Sequence, residues 1–197
     1  MYLQVLEGKV RDTDLLDKQM GVWRSDVRPG AIGFLGSTGG LTAEGRWIVA
    51  ARFASESEAQ QNSDRPEQDA WWRATAPAFE GDLTVTNCDE VDVFLGGGSD
   101  AAGFVQVMKG RATDPAKLRA MGNDMEDVMT TVRPDVLGGY VGWHDDSGFV
   151  QVMYFTSEDE ARQAEASQDA ESDGPDEWSA LIDGEIEFID LPDPMFD

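Results

Sequence analysis

The sequence predicts an α+β protein made of two tandem ferredoxin-like βαββαβ repeats, packed sheet to sheet as an intramolecular α+β barrel. Three observations support this prediction. The sequence repeats itself after about 102 residues, both copies show the same order of strand and helix patterns, and a Gly-rich segment separates them. We therefore expect a first repeat over 1–95, a flexible linker over 96–103 and a second repeat over 104–197.

The duplication can be followed along the chain. The dipeptide QV at position 4 recurs at position 106, and VRP at 27–29 recurs at 132–134. The segment FASESEAQQ, which starts at Phe53, aligns with FTSEDEARQ, which starts at Phe155, and six of the nine positions are identical. Because the matches follow the same order in both halves, we expect both halves to have the same fold.

Each copy opens with a β-rich strand that is followed by the start of a helix. An aspartate, Asp12 or Asp114, comes directly after the strand and can cap a helix, and Pro115 suits the first helical turn. Apolar residues then recur at three- and four-residue spacing, as at positions 16, 20, 23 and 27, which predicts a helix with one apolar face. The Arg-Pro pair is expected to end this helix.

Two strands, a second helix and a last strand complete each copy. We expect the paired strands at 31–36 with 46–54 and at 136–143 with 148–156. The Gly-rich piece 36–40 is interpreted as the loop of the first hairpin. Ser55 and Ser157 are each followed three residues later by a glutamate, which predicts a capping box at the start of the second helix.

Helices on one side of such a sheet leave its other face bare, and a tandem pair can bury both bare faces by packing sheet against sheet. Three features are typical of a known family: the element order, the FxSExEAxQ start of the second helix and the Val-Arg-Pro step before the second strand. In these features the sequence resembles the dimeric α+β barrel superfamily and, within it, the antibiotic biosynthesis monooxygenase-like proteins. The resemblance covers about 1–95 and 104–192. Two protomers usually form the barrel in such families, whereas this chain carries both halves.

The composition limits the partners that the protein can have. With 15 Lys and Arg against 39 Asp and Glu, the formal net charge is −24, which disfavours binding to nucleic acid and to anionic membranes. The acid-rich stretch 158–177 is interpreted as a solvated helix face and loop. The single cysteine, Cys88, excludes an intramolecular disulfide, and the sequence shows neither a membrane-spanning apolar run nor a signal peptide. We expect a cytoplasmic protein.

Alternation along the strands decides which residues share a face of the sheet. Small aliphatic side chains suit the helix-covered side, so we assign the glutamine, methionine and aromatic set to a cavity between the two sheets. A few polar groups in an apolar lining are typical of small-molecule sites; alternatively, the glutamines satisfy one another or buried water. The predicted substrate-binding residues are Gln4, Trp47, Gln106, Met108, Tyr140, Phe149, Gln151 and Met153.

His144 is the only histidine and therefore the only candidate for imidazole chemistry. It lies at the mouth of the second hairpin, next to Asp145, and alternation groups it with Tyr140. It is a candidate catalytic base or axial haem ligand; the alternative is a solvated turn residue. Arg28 and Arg133 are interpreted as structural residues that stabilise the end of the first helix, and anion binding is the alternative.

Three functions remain open. The resemblance implies an oxygenase-like enzyme that acts on a hydrophobic aromatic compound without metal, flavin or other cofactor. The same cavity in a non-catalytic or stress-related protein would hold a lipid-like or aromatic ligand, and haem binding depends on His144 alone. The sequence has no P-loop, no GxGxxG after a strand and no GxSxG, CxxC or HExxH motif. The protein is expected to be a monomer or a homodimer.

Overall fold

The computed structural model describes residues 1–171 and 177–197, and the chain divides into two compact units. Unit 1 comprises Met1–Asp89 together with Met195–Asp197, and unit 2 comprises Glu90–Pro194. Each unit contains a five-stranded antiparallel sheet and the helices of one sequence repeat, which confirms the predicted α+β class and the tandem duplication. Part of the acidic stretch that was interpreted as solvated, 172–176, lies outside the described residues.

The chain forms its strands and helices in the order that the repeat predicts, with additions. The strands are β1 (Tyr2–Lys9), β2 (Phe34–Leu41), β3 (Arg46–Phe53), β4 (Thr84–Cys88), β5 (Glu90–Phe94), β6 (Phe104–Arg111), β7 (Val136–His144), β8 (Gly148–Phe155), β9 (Glu187–Leu191) and β10 (Met195–Phe196). The helices are α1 (Thr13–Val22), α2 (Glu56–Ser63), α3 (Pro66–Thr75), α4 (Pro115–Val132) and α5 (Glu158–Glu171). A π-helical turn, Trp23–Val27, extends α1.

The two sheets have the same arrangement. The strand order is β10-β2-β3-β1-β4 in unit 1 and β5-β7-β8-β6-β9 in unit 2. The prediction of four strands for each copy missed β5 and β10. β5 lies in the first half of the sequence but pairs with β7, and β10 lies in the second half but pairs with β2. The compact units therefore divide the chain after Asp89, whereas the predicted repeat boundaries follow the duplication of the sequence.

The predicted helix starts are confirmed. The carboxylates of Asp12 and Asp114 each accept a hydrogen bond from the backbone amide three residues further on, at 2.9 and 3.0 Å. At the start of α2, the Ser55 hydroxyl accepts from the amide of Glu58 at 3.2 Å and donates to its carboxylate at 2.8 Å. Within the described residues, no helix combines the length and the apolar character that a membrane span requires.

The Gly-rich piece 36–40 was predicted to be a hairpin loop, and this prediction was wrong. The piece forms the middle of β2. Gly39 pairs with Val49 of β3, and a Cβ atom on this glycine would collide with the backbone of β3. The tight turn lies further on, where Gly45 has a φ of +78° and its amide donates to the Thr42 carbonyl at 3.0 Å. Glycine is uncommon inside strands, but here it allows the neighbouring strand to approach closely.

Candidate functional site

The glutamine, methionine and aromatic face of each sheet lies under the helices of its own unit. In unit 1, Trp47 belongs to one apolar cluster with Leu16 of α1 and Trp71 of α3. In unit 2, Met153 belongs to one cluster with Ala161 of α5. The assignment of this face to a cavity between the sheets was therefore wrong.

The physical reason is that long, flexible and aromatic side chains fill the space between a sheet and its helices, and short β-branched residues suit the other face. Four valines on the other face of the unit 2 sheet are each 2% exposed or less, so both faces of this sheet are buried. These valines are Val105, Val107, Val150 and Val152.

In unit 2 the side chains under the helices form rows across three strands. Directly opposed residues of antiparallel strands share a face and contact each other. The rows across β8, β6 and β9 are Met153, Gln106 and Asp190, and then Gln151, Met108 and Phe188. The helix-facing layer of unit 2 is the name used here for Phe104, Gln106, Met108, Phe149, Gln151, Met153, Phe155, Phe188 and Asp190.

A charged network links Gln106 to helix α5. Gln106 Nε2 donates to Asp190 Oδ1 at 2.9 Å, and Arg162 Nη2 donates to Asp190 Oδ2. Arg162 also donates to Glu165 at 3.0 Å, and its guanidinium carbon lies 5.2 Å from the centre of the Phe104 ring. Burial lowers the pKa of Arg162, but the hydrogen bonds and charges of Glu165 and Asp190 outweigh burial and raise the pKa overall. The guanidinium therefore stays charged and ties β9 to α5.

Gln151 is the second carboxamide of this layer. It is half-buried, whereas its neighbours Met108 and Met153 are each 8% exposed. Among the residues that the structure describes, none forms a hydrogen bond with the Gln151 amide. The amide therefore offers a donor and an acceptor to a ligand in a surrounding of methionine and phenylalanine side chains.

Phe188 lies at the edge of the layer. It is on β9, the outer strand of the sheet, and it is 56% exposed although it lies opposite the buried Met108. In unit 1 the equivalent residue is Val85, opposite Leu6. An exposed aromatic ring beside a buried methionine provides an apolar surface at the edge of the layer.

Helix α4 holds β5 against β7 at the edge of the sheet opposite β9. Trp143 Nε1 donates to Asp92 Oδ2 at 2.7 Å. Arg119 of α4 pairs with the same carboxylate at 3.2 Å, and its guanidinium carbon lies 4.6 Å from the centre of the Trp143 ring. The ring of Trp143 packs against Phe149, with centroids 5.9 Å apart. These contacts fix one wall of the layer to a strand that the sequence pattern did not predict.

His144 and Tyr140 lie apart from the glutamine set. Tyr140 is opposite Val152, and alternation places His144 on the same face, away from the helices. His144 Nδ1 lies 3.2 Å from Asp145 Oδ2, and its side chain is 22% exposed. The imidazole therefore does not join the helix-facing layer of unit 2. Its roles as a base or a haem ligand stay predictions.

In unit 1, Gln4 and Trp47 lie in a layer that aromatic rings fill. Gln4 Nε2 donates to Asn87 Oδ1 at 3.1 Å, so this glutamine is satisfied by another amide. Trp47 is 2% exposed, and the centre of its ring lies 5.4 Å from that of Phe79. Trp71 belongs to the same cluster. These two predicted site residues therefore do not share a layer with the predicted residues of unit 2.

The two arginines of the Val-Arg-Pro step have different surroundings. Arg133 is buried and forms a two-point ion pair with Asp135, with N–O distances of 3.0 and 2.8 Å. Arg28 is half-exposed and lies 3.9 Å from Asp197, beside a cavity of about 250 Å³.

A second cavity, of about 330 Å³, adjoins Asp135 and the start of α5. In the described part of the chain, no cluster of His, Cys, Asp and Glu could hold a metal ion.

Solved structures resemble the whole chain. A Fusobacterium nucleatum protein described as a putative monooxygenase gives a TM-score of 0.67 at 10% identity, with 96% of this chain and 90% of that chain covered. An anthrone oxidase-like protein gives 0.62 at 12% identity, with 96% and 90% covered. This chain shares their fold. A putative chlorite dismutase gives 0.59 at 12% identity, with 96% and 93% covered.

The comparisons confirm the predicted resemblance at the level of the fold. No family model matches the sequence, and no curated protein matches it significantly. Because proteins with differently described activities share this fold, the function of this chain has to be argued from its own side chains.

Proposed function

We propose that this protein binds a hydrophobic aromatic small molecule in the helix-facing layer of unit 2 and oxidises it without a cofactor, as a monooxygenase-like enzyme. The observation that supports binding is the amide of Gln151, which has no hydrogen-bond partner among the described residues and lies beside Met108 and Met153. An apolar surface with a few convergent polar groups is typical of sites for small molecules. Methionine side chains are flexible and adapt to the shape of a bound ring.

The ligand would reach the layer at the edge of the sheet. Phe188 is exposed there, and Met108 lies directly opposite it on the next strand. Since Met108 and Met153 are only 8% exposed, an entering ring has to displace their side chains. The expected order of contact is first with Phe188 and then with the methionines and Gln151.

The oxidation that the fold suggests uses electrons from the substrate itself. In an anthrone-type substrate, a methylene group between two aryl rings becomes a carbonyl group while one O₂ is consumed and one H₂O is released. The substrate is deprotonated before it reacts with O₂. Because His144 faces away from the layer, we propose that a water molecule bound to Gln151 accepts this proton.

A second candidate function is binding of the same kind of ligand without oxidation. The position of His144 favours it, because the only imidazole of the chain lies outside the helix-facing layer. Both candidates predict the same binding site, and they differ only in whether O₂ is consumed.

Titration of the full chain with anthrone, followed by calorimetry and an oxygen electrode, tests the proposal. We expect anthrone to bind, and Gln151→Leu to weaken binding about tenfold because a hydrogen bond to the ligand is lost. Gln4→Leu in unit 1 is the matched control and should leave the affinity unchanged. Binding without O₂ consumption would select the non-catalytic function. Absence of binding, or equal effects of the two variants, would reject the site.

A further inference from the structure

The carboxylate of Asp190 fixes the orientation of the Gln106 amide. An ionised carboxylate only accepts hydrogen bonds, so the group that faces it has to be the NH₂ of the glutamine. Gln106 Nε2 lies 2.9 Å from Asp190 Oδ1, in agreement with this requirement. The carbonyl oxygen of the same amide therefore points away from Asp190.

Arg162 keeps Asp190 in this role. Its guanidinium donates to Asp190 Oδ2, while Oδ1 stays available to Gln106. A charge-assisted bond of this kind holds the carboxylate in one position. The contacts therefore run from the Arg162 guanidinium on α5 to the Asp190 carboxylate on β9 and from there to the Gln106 amide on β6. The last contact fixes the orientation of the amide.

Gln106 Oε1 is left as an acceptor in apolar surroundings. Among the described residues, none donates a hydrogen bond to this oxygen, and Gln106 is 5% exposed. Its neighbours along and across the strands are Phe104, Met108 and Met153. Because Oε1 is not among the buried side-chain atoms that lack a partner in the described residues, it still reaches solvent. A ligand that covers this oxygen without bringing a donor leaves it unpaired, so a ligand that brings a donor is preferred to one that does not.

Among its described residues, unit 1 has no arginine–aspartate pair that orients the equivalent glutamine, Gln4. There Gln4 pairs with Asn87, which has both a donor and an acceptor on its side chain. Both amides can turn over together and keep one hydrogen bond, so the direction of Gln4 is not imposed. The residue of α2 that aligns with Arg162 is Gln60, which donates to Asp64 instead.

We propose that Arg162 and Asp190 position Gln106 as an acceptor for a hydroxyl group of the ligand, so that the site selects hydroxylated aromatic compounds over their methyl ethers. This inference rests on the proposed binding function and names its substrate class. Gln106 would touch the ligand, whereas Arg162 and Asp190 are positioning residues that act through it.

The test compares 1-naphthol with 1-methoxynaphthalene, which differ in the hydroxyl donor, by calorimetry on the full chain. We expect the wild type to bind the naphthol about tenfold more tightly than the ether. Asp190→Asn allows the Gln106 amide to turn over, and the preference should fall to about twofold. Asn87→Asp in unit 1 is the matched control and should leave the preference unchanged. Gln106→Leu should remove the preference and retain binding of the ether.

The outcomes separate the two proposals. Equal binding of both compounds by the wild type, or an unchanged preference in Asp190→Asn, would overturn the inference and leave the binding function in place. Binding of neither compound would overturn the binding function and the inference with it. If Asp190→Asn does not fold, as judged by circular dichroism, Gln106→Leu decides: a preference that persists in this variant contradicts the inference.

Discussion

The two units begin from one repeat and differ in what lies between sheet and helices. The rows across the sheet of unit 1 are Ala51, Gln4 and Asn87, and then Val49, Leu6 and Val85. The equivalent rows of unit 2 are Met153, Gln106 and Asp190, and then Gln151, Met108 and Phe188. Tryptophan rings fill the layer of unit 1, whereas methionines and amides line that of unit 2. In our proposal, unit 1 provides stable packing and unit 2 binds the ligand.

The largest effect on stability is expected in the filled layer. Trp47→Ala removes a buried ring and should lower the free energy of unfolding by about 4 kcal/mol, because a cavity remains. Urea denaturation of the full chain measures this change. The affinity for anthrone should stay the same. A loss of affinity in Trp47→Ala would show that unit 1 takes part in binding and would break the comparison.

A second contrast concerns the paired arginines. Arg133→Met leaves the carboxylate of Asp135 buried without its partner and should cost about 3 kcal/mol. Arg28→Met removes a half-exposed charge 3.9 Å from Asp197 and should cost less than about 1 kcal/mol. Thermal denaturation of both variants, with the wild type as reference, checks the difference. Similar losses in the two variants would mean that the difference in burial has no energetic consequence.

Met153→Ala gives unit 2 the residue that unit 1 already has, Ala51. We expect a loss of about 2 kcal/mol in stability, since a buried methionine is truncated. The affinity for anthrone should fall about tenfold, because the apolar contact with the ring is lost. Calorimetry on this variant measures both quantities. An unchanged affinity would place the ligand away from Met153.

The smallest effects are expected where the units are alike. Asp12→Ala and Asp114→Ala each remove one N-cap and should each cost about 1 kcal/mol. Neither variant should change ligand affinity. Chemical denaturation of the two variants side by side gives the comparison, and a much larger loss in one of them would indicate a further role for that aspartate.

Much of the fold could be predicted from the sequence, because the two copies of the repeat support the same assignment and because the signals for helix starts involve residues close together in the chain. Caps such as Asp12 and the Ser55 box form within a few residues of the chain, so spacing alone indicates them. β5 and β10 could not be predicted in this way, because each strand pairs with a strand of the other half of the sequence. The Gly-rich piece in β2 was misassigned because glycine is typical of loops.

Only some of the predicted residues lie together in the helix-facing layer of unit 2. Gln4 and Trp47 lie in unit 1, and Tyr140 and His144 lie on the other face of the unit 2 sheet. Alternation correctly grouped Gln106 with Met108 and Gln151 with Met153, but alternation does not say which face the helices cover. Arg162 was missed because the acidic stretch 158–177 was interpreted as solvated, and Asp190 was missed because the alternation argument was not applied to the last strand of the repeat. The signal that could have indicated them is the difference between the copies, in which glutamine and asparagine of unit 1 become arginine and aspartate.

The central claim is that the ligand binds between the sheet and the helices of unit 2. Methyl spectra of the chain labelled with [methyl-¹³C]methionine, recorded during titration with 1-naphthol, test it most directly. We predict saturable shifts of the Met108 and Met153 methyl signals, with Met20 of unit 1 unchanged. Shifts at Met20 with Met108 and Met153 unchanged would contradict the claim.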